Sequence, residues 1–313
     1  MLQMNIIKKL KTSFEIKMSN GHGLLCHTMG SKTIVYDIKS WEKVAELVKP
    51  KNPGDLVFSR NDDYLYIKNA LGTLCVYDTD TFQLVKKIQS NKSLKLTEGR
   101  FAITKDPFKI FDTVMDKNGD QLVAINIDNI GDTKVITKYE EKITIINYHQ
   151  YIPSCDSHLY TLSYVNKAGN MYEYKLMKIK ESTHEISLLS HPGLIWLSVI
   201  YDPIHDVYIV MQENYKIIIV DSSFTRVLRE KALLSGKNER KPGMYFTYFH
   251  MSSDGKYIVV TYDEMILILR FEDFEVLRME YISNACFAEF SDDHQYLLVG
   301  TWRNGYVLEN NLQ

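Results

Sequence analysis

The chain has 313 residues, 45% of them hydrophobic and 24% charged, a globular balance that excludes a disordered, collagenous or coiled-coil chain. A chain of this length buries roughly 75% of the surface its unfolded form exposes, so it needs no disulfide or metal staples. Lys and Arg number 37 against 39 Asp and Glu, and the resulting net charge of −2 excludes a strongly basic nucleic-acid binder by bulk charge.

The first residues, MLQMNIIKKLKTSFEIKMSNGHG, carry lysines but no apolar core of about 7–15 residues and no small-residue cleavage site, so no secretory signal is expected. No apolar run approaches the ~18 residues of a membrane helix. Cys26, Cys75, Cys155 and Cys286 form no CxxC pair and sit within or beside apolar runs, as buried free thiols in a reducing cytosol would. A cytoplasmic protein is expected.

In chain order, the first element is a strand over Asn5–Lys11. A unit then follows in which Thr33–Asp37 is a strand, Ile38–Trp41 a turn and Lys43–Leu47 the next strand. Leu56 to Ile67 reads as an apolar strand, a polar turn (Ser59-Arg60-Asn61-Asp62-Asp63) and a second apolar strand. Such turn residues tolerate left-handed backbone or bond their own main chain, and the β-branched and aromatic flanks suit strands, so the segment is a hairpin. Thr73–Asp78, the turn Thr79–Phe82 and Gln83–Ile88 complete four strands. The hairpin recurs at Tyr248–Val260 and Phe287–Val299. The third-to-fourth-strand pattern recurs at Ile217–Asp221 with Arg226–Leu228, and at Met265–Leu269 with Val276–Met279.

Four-stranded units repeating every ~41–53 residues are the signature of a β-propeller. First strands fall near Phe14, Leu56, Arg100, Ile143, Trp196, Tyr245 and Cys286. The expectation is all-β: one seven-bladed β-propeller domain with blades at about 14–48, 54–90, 96–140, 142–191, 194–232, 243–282 and 285–309 plus 4–12. The third and fourth units are the least regular. The last unit supplies three strands, and Asn5–Lys11 is expected to add the fourth, which ties the chain ends together and removes two open sheet edges. The alternative for that segment is a frayed tail or a short amphipathic helix.

The hairpin consensus Phe-Ser-x-x-Asp-x-Tyr-Leu and the Val-Tyr-Asp end of the third strand resemble WD-repeat and YVTN-type propellers. Tyr36-Asp37, Tyr77-Asp78 and Val220-Asp221 stand where that family has Trp-Asp. No repeat has a Trp-Asp there, and Gly21-His22 lies inside the opening hairpin rather than before it, so the hydrogen-bond relay of WD blades does not carry over. The resemblance implies the fold and a non-catalytic platform for other macromolecules.

No zinc-protease, nucleophile-elbow, phosphate-loop or dinucleotide motif is present. The Asp-rich turns, among them Asp116–Asp120, recur with the repeat and so read as turn chemistry rather than calcium sites. No cofactor and no metal are expected. Innermost strands carry isolated Glu15, Asn147, His149 and Glu289, whose convergence one dimension does not show.

In a propeller, the loops joining second to third strands and fourth to next first strands share one face. Here they carry Tyr262, Asp263, Trp302, Arg303, Asn214, Tyr215 and Trp196, the expected partner-binding residues, along with Asn69-Ala70-Leu71. Trp, Tyr and Arg dominate interface energetics. Trp302-Arg303 is the best single candidate, the alternative being that Trp302 packs between blades. The basic loop with Lys237, Arg240 and Lys241 lacks interleaved aromatics and reads as a solvated loop rather than a nucleic-acid contact. The expected function is a non-enzymatic protein- or peptide-binding platform, such as a scaffold, adaptor or immunity-type protein. The alternative is a small-ligand-binding or metal-dependent, lactonase-like propeller with its site in the channel.

Overall fold

The computed structural model describes residues 4–90, 94–116, 119–137, 143–165, 172–212, 215–234 and 244–312. Among these, 28 strands and two single-turn 3-10 helices form the whole of the regular structure. The first blade comprises Ile16–Met18, Leu24–Met29, Lys32–Asp37 and Lys43–Leu47, each paired to the next. The second is Pro53–Phe58, Tyr64–Asn69, Leu74–Asp78 and Leu84–Ile88. The third is Ala102–Ile103, Lys109–Asp116, Gly119–Asn126 and Lys134–Thr137, and the fourth Ile143–Ile152, Ser157–Val165, Tyr172–Lys180 and Ile186–Leu189. The fifth is Ser198–Asp202, Val207–Met211, Lys216–Asp221 and Val227–Ala232, and the sixth Phe246–Met251, Tyr257–Tyr262, Met265–Arg270 and Val276–Tyr281. The seventh has Ala285–Phe290, Tyr296–Thr301 and Asn304–Glu309, and its fourth strand is Ile6–Lys11 from the N-terminal end.

That last pairing is antiparallel, with Lys8 opposite Val307 and Leu10 opposite Gly305. It is extended at both ends by Thr12 N–H to Arg303 O (2.8 Å) and Glu309 N–H to Asn5 O (2.9 Å). The expected closure by the N-terminal strand is therefore present, and the frayed tail and the helix are not.

The turns show why these residues recur. In the hairpins joining first to second strands, Ser59, Ser252 and Ser291 accept on Oγ the N–H of Tyr64, Tyr257 and Tyr296, at 2.9, 2.9 and 3.0 Å. In the turns joining third to fourth strands, Asp37, Asp78 and Asp221 accept the N–H of Ser40, Thr81 and Thr225 at 2.8, 2.8 and 2.7 Å. Each of these turns closes on an aromatic residue in left-handed backbone: Trp41 (φ 55°), Phe82 (54°), Phe224 (59°), and in the sixth blade Phe274 (57°). The Phe224 and Phe274 rings are fully buried, so their packing offsets the backbone strain. The aspartates that stand in the Trp-Asp place thus serve their own turns.

Seven apolar clusters among the described residues lie between neighbouring blades, each drawing from two of them. One joins the last blade to the first through Phe287, Leu298 and Val307 on one side, Ile16 and Leu25 on the other, with Leu10 of the N-terminal strand. The irregularity foreseen for the third and fourth blades has a structural cause. The inner strand of the third shrinks to Ala102–Ile103, while strands of the fourth lengthen to nine and ten residues. These two blades also touch through one parallel pair, Gly119 opposite Thr144. A Cβ on Gly119 would lie 2.2 Å from Thr144 O, so only glycine permits that approach. Of the cysteines, Cys26 and Cys75 are buried and Cys286 half-buried, but Cys155 is exposed because it ends a surface 3-10 turn after Ile152.

Candidate functional site

Side chains alternate along the inner strands, so every second residue faces the channel. The first blade sends in Lys17 and the second Asp55 and Val57. Arg100 enters just before the third, His149 from the fourth, Ile200 and Asp202 from the fifth, Tyr248 and His250 from the sixth, and Glu289 from the seventh. Together they line a cavity of about 660 Å³. It extends toward the hairpin face, where Pro153, Pro203, Ser252 and Asp292 border it.

The charges inside are linked. Lys17 Nζ donates to both carboxylate oxygens of Glu289 at 2.6 Å and lies 3.4 Å from Glu15 Oε1. Tyr248 OH donates to Glu289 Oε1 (2.7 Å) and receives Arg100 Nη1 (3.2 Å), whose guanidinium lies 4.6 Å from the Tyr248 ring centre. Burial alone would raise the Glu289 carboxyl, but the charges of Lys17 and Arg100 outweigh it and hold it down to about 2. Glu15 shows the opposite balance, since burial raises it to about 7 against Lys17 and Arg100. Burial likewise raises Asp55. His250 Nδ1 accepts the N–H of Phe290 (3.3 Å), and burial lowers its pKa, so the ring is neutral. His149, lowered by burial to about 3, bonds Thr161 Oγ1 (2.6 Å).

A second cleft, about 440 Å³, opens on the opposite face, the one carrying the second-to-third-strand loops. Trp302 and Phe14 form an aromatic wall, their ring centres 5.8 Å apart. Asn52–Asp55, Lys68–Ala70 and Glu98–Arg100 complete it, with Glu15 also lining it. Asp55 and Arg100 line this cleft and the channel cavity alike. Lys68 is spoken for, donating to Asp112 Oδ1 at 2.7 Å in a fully buried pair between the second and third blades.

The expected contact residues fall into three groups. Trp302 is 68% exposed and Arg303 is exposed beside it, on the loop face. Trp302 therefore does not pack between blades. Asp263 is half-buried and accepts the N–H of Tyr245 (2.8 Å), and half-buried Tyr215 donates its OH to Met244 O (2.8 Å). Tyr262 and Trp196 are corrections, because both are core. Tyr262 sits among Tyr215 and Phe246 between the fifth and sixth blades. Trp196 packs on Tyr174 and Phe224 and donates Nε1–H to Thr161 Oγ1 (3.0 Å). Tyr262 is the last residue of its strand and Trp196 lies two residues before Ser198–Asp202, and from both places the ring still reaches the inter-blade layer. Asn214 and the basic loop with Lys237, Arg240 and Lys241 lie outside the described residues.

Of the four inner-strand residues singled out from sequence, Glu15 and Glu289 meet through Lys17, His149 lines the cavity, and exposed Asn147 does not line it. Lys17, Asp55, Arg100, Tyr248 and His250 were missed. Alternation was the available signal, since Glu15-x-Lys17 and Tyr248-x-His250 are same-face pairs on first strands. Among the described residues, no three His, Cys, Asp or Glu side chains converge so as to hold a metal ion. No helix among them is long and apolar enough to cross a membrane.

No family model matches the chain. A BTB/POZ domain and WD-repeat protein of Acanthamoeba polyphaga mimivirus is 25% identical over 161 residues, which is 51% of this chain and 26% of that protein's own length. Among solved structures, the β-propeller domain of Cps50 (Swd1) from Myceliophteria thermophila is similar with a TM-score of 0.70 at 14% identity, over 97% of this chain and 99% of that one. At that identity the likeness concerns the fold. The chain has the fold of a WD-repeat-like, seven-bladed β-propeller whose last blade is completed by the N-terminal strand.

Proposed function

We propose that this chain is a non-catalytic platform that binds another protein or peptide on the loop face around the mouth of the channel. The observation that carries this reading is the apolar surface exposed there. Leu71 (78% exposed) and Trp302 (68%) stand on second-to-third-strand loops, and Ile195, Leu197 and Tyr245 are exposed on the connections between blades. Large side chains left in water on one face of a fold mark an interaction surface. WD-repeat propellers are typically protein-interaction scaffolds, which supports the same reading, although fold alone does not assign function. A cytoplasmic setting suits four free thiols.

The test is affinity capture from the native host with wild type and Trp302→Ala. Loss of the captured protein with an unchanged Tm is expected, because the indole is exposed and its removal leaves no core cavity. Equal capture by the two proteins would contradict the reading. A second reading, a small ligand in the channel, rests on the 660 Å³ cavity and its tyrosines, Tyr148, Tyr151, Tyr201 and Tyr248.

A further inference from the structure

The loop-face cleft differs from a plain apolar groove at its floor. Asp55 and Glu15 both line it, and each is only 8% exposed. Asp55 Oδ2 and Glu15 Oε1 have no hydrogen-bond donor. Buried carboxylate oxygens are normally served, and leaving one unserved costs the desolvation of that group.

The hydrogen bonds of the neighbouring cations go to other groups. Lys17 hydrogen-bonds both oxygens of Glu289 at 2.6 Å and only stands 3.4 Å from Glu15 Oε1, Lys68 is bound to Asp112 and to Gly99 O, and Arg100 donates to Tyr248 OH. In this connected cluster four carboxyls (Glu15, Asp55, Asp112, Glu289) face three cations (Lys17, Lys68, Arg100), so when all four are ionised one of them has no cation of its own. Above this floor stand the Trp302 and Phe14 rings, an apolar wall that suits an aliphatic stem and, at the indole face, a cation.

Resting on the reading that the loop face binds the partner, we propose that this cleft receives an arginine side chain of that partner. Its stem would lie along Trp302 and Phe14, and its guanidinium would serve Asp55 and Glu15. Two acceptors from two different blades match a planar fork of N–H donors better than a point charge, which selects arginine over lysine. The cleft's 440 Å³ is in the range of pockets that bury small organic groups.

Glu15 carries the pH dependence. It faces Lys17 from its own strand, the Cys26 thiol from the neighbouring strand, Asp55 and Arg100 from the next two blades, and Glu289 and the Cys286 thiol from the last. Burial raises its carboxyl to about 7, so in neutral solution it holds a proton part of the time, and an arriving guanidinium expels it. Arginine therefore binds more tightly at about pH 8 than at about pH 6.

The probe is N-acetyl-arginine N-methylamide, with its neutral citrulline analogue as the control. The reporter is the Trp302 indole N–H resonance of the full chain, assigned by its loss in Trp302→Phe. A saturable shift with arginine is expected, with citrulline about tenfold weaker or worse, as befits a charge-assisted contact. Asp55→Asn, which keeps the volume, is expected to bring arginine down to the citrulline level with Tm within a few degrees of wild type. Equal binding of arginine and citrulline to the wild type, or no shift of Trp302 with either, would overturn the proposal without recourse to any variant. If Trp302→Ala abolishes partner capture while the probes show no preference for charge, this proposal falls and the platform stands. If the arginine probe binds as expected while capture is indifferent to Trp302, the cleft stands and the platform reading falls.

Discussion

Glu181, in the turn after the third strand of the fourth blade, receives donors from three blades. They are Arg60 of the second, the Lys105 amide of the third (2.6 Å) and His158 Nε2 of its own blade (2.9 Å). The Arg60 guanidinium also stacks 3.6 Å from the centre of the Tyr151 ring. Burial would raise the Glu181 carboxyl, but His158, the Lys105 amide and Arg60 outweigh it and bring it down to about 2. A carboxyl held below its ordinary 4.5 stabilises the folded state above that pH, and the contribution fades as pH falls toward about 2. Glu181→Gln is expected to cost roughly 1–3 kcal/mol in urea unfolding at neutral pH. The gap to wild type should narrow progressively as the pH is lowered from about 4.5 toward about 2. A gap independent of pH would mean that the charge is not what Glu181 contributes. Nothing in sequence marks this residue, since Arg60 lies 121 positions away and the Lys105 contact is to backbone. Trp302 was legible because a loop exposes a large ring that a strand buries. The same rule fails for Trp196 and Tyr262, because a ring two residues before a strand or on a strand's last residue still belongs to the inter-blade layer.

The strand Ile6–Lys11 is the element that joins the two ends of the chain. Its Leu10 is buried between Ile16 and Val307, and the strand covers the outer edge of the last blade. The glycines opposite one another in that blade, Gly300 and Gly305, make room for the chain as it passes from this strand into the first blade. A Cβ on Gly300 would lie 2.2 Å from the Phe287 ring, and one on Gly305 2.6 Å from Ser13. Leu10→Ala is expected to destabilise by about 2–4 kcal/mol, the cost of a buried leucine cavity. Removing residues 1–12 is expected to lower Tm sharply and to promote association through the bared edge. Unaltered thermal unfolding of that truncation would remove the closing role of the strand. At this scale the sequence was informative, because strand alternation and the serine and aspartate turn chemistry are local signals repeated many times. The third and fourth blades were blurred for a physical reason. One inner strand there is two residues long and another ten, so the spacing drifts, and the Gly119–Thr144 bridge depends on a close backbone approach that no local pattern announces.

The whole ring brings together what the chain keeps far apart. Lys17 meets Glu289 across 272 positions, and Arg100 meets Tyr248 across 148. That is why the fold could be read from the sequence while the charged channel and the Asp55–Glu15 floor could not. Rotation about the axis, rather than neighbourhood along the chain, decides which inner residues converge. The same topology sorts the surface. Hairpin turns with their aspartates lie on one face, and Leu71, Tyr245 and Trp302 on the other. Recognition by that second face is the central claim, and photo-cross-linking in the native host tests it most directly. A photoreactive phenylalanine analogue is placed in turn at Leu71 and Trp302, and at Ile204, which is exposed on the hairpin face. Covalent adducts with one and the same partner are expected from positions 71 and 302 and not from 204. Adducts from 204 alone, or equally from all three, would contradict a loop-face platform.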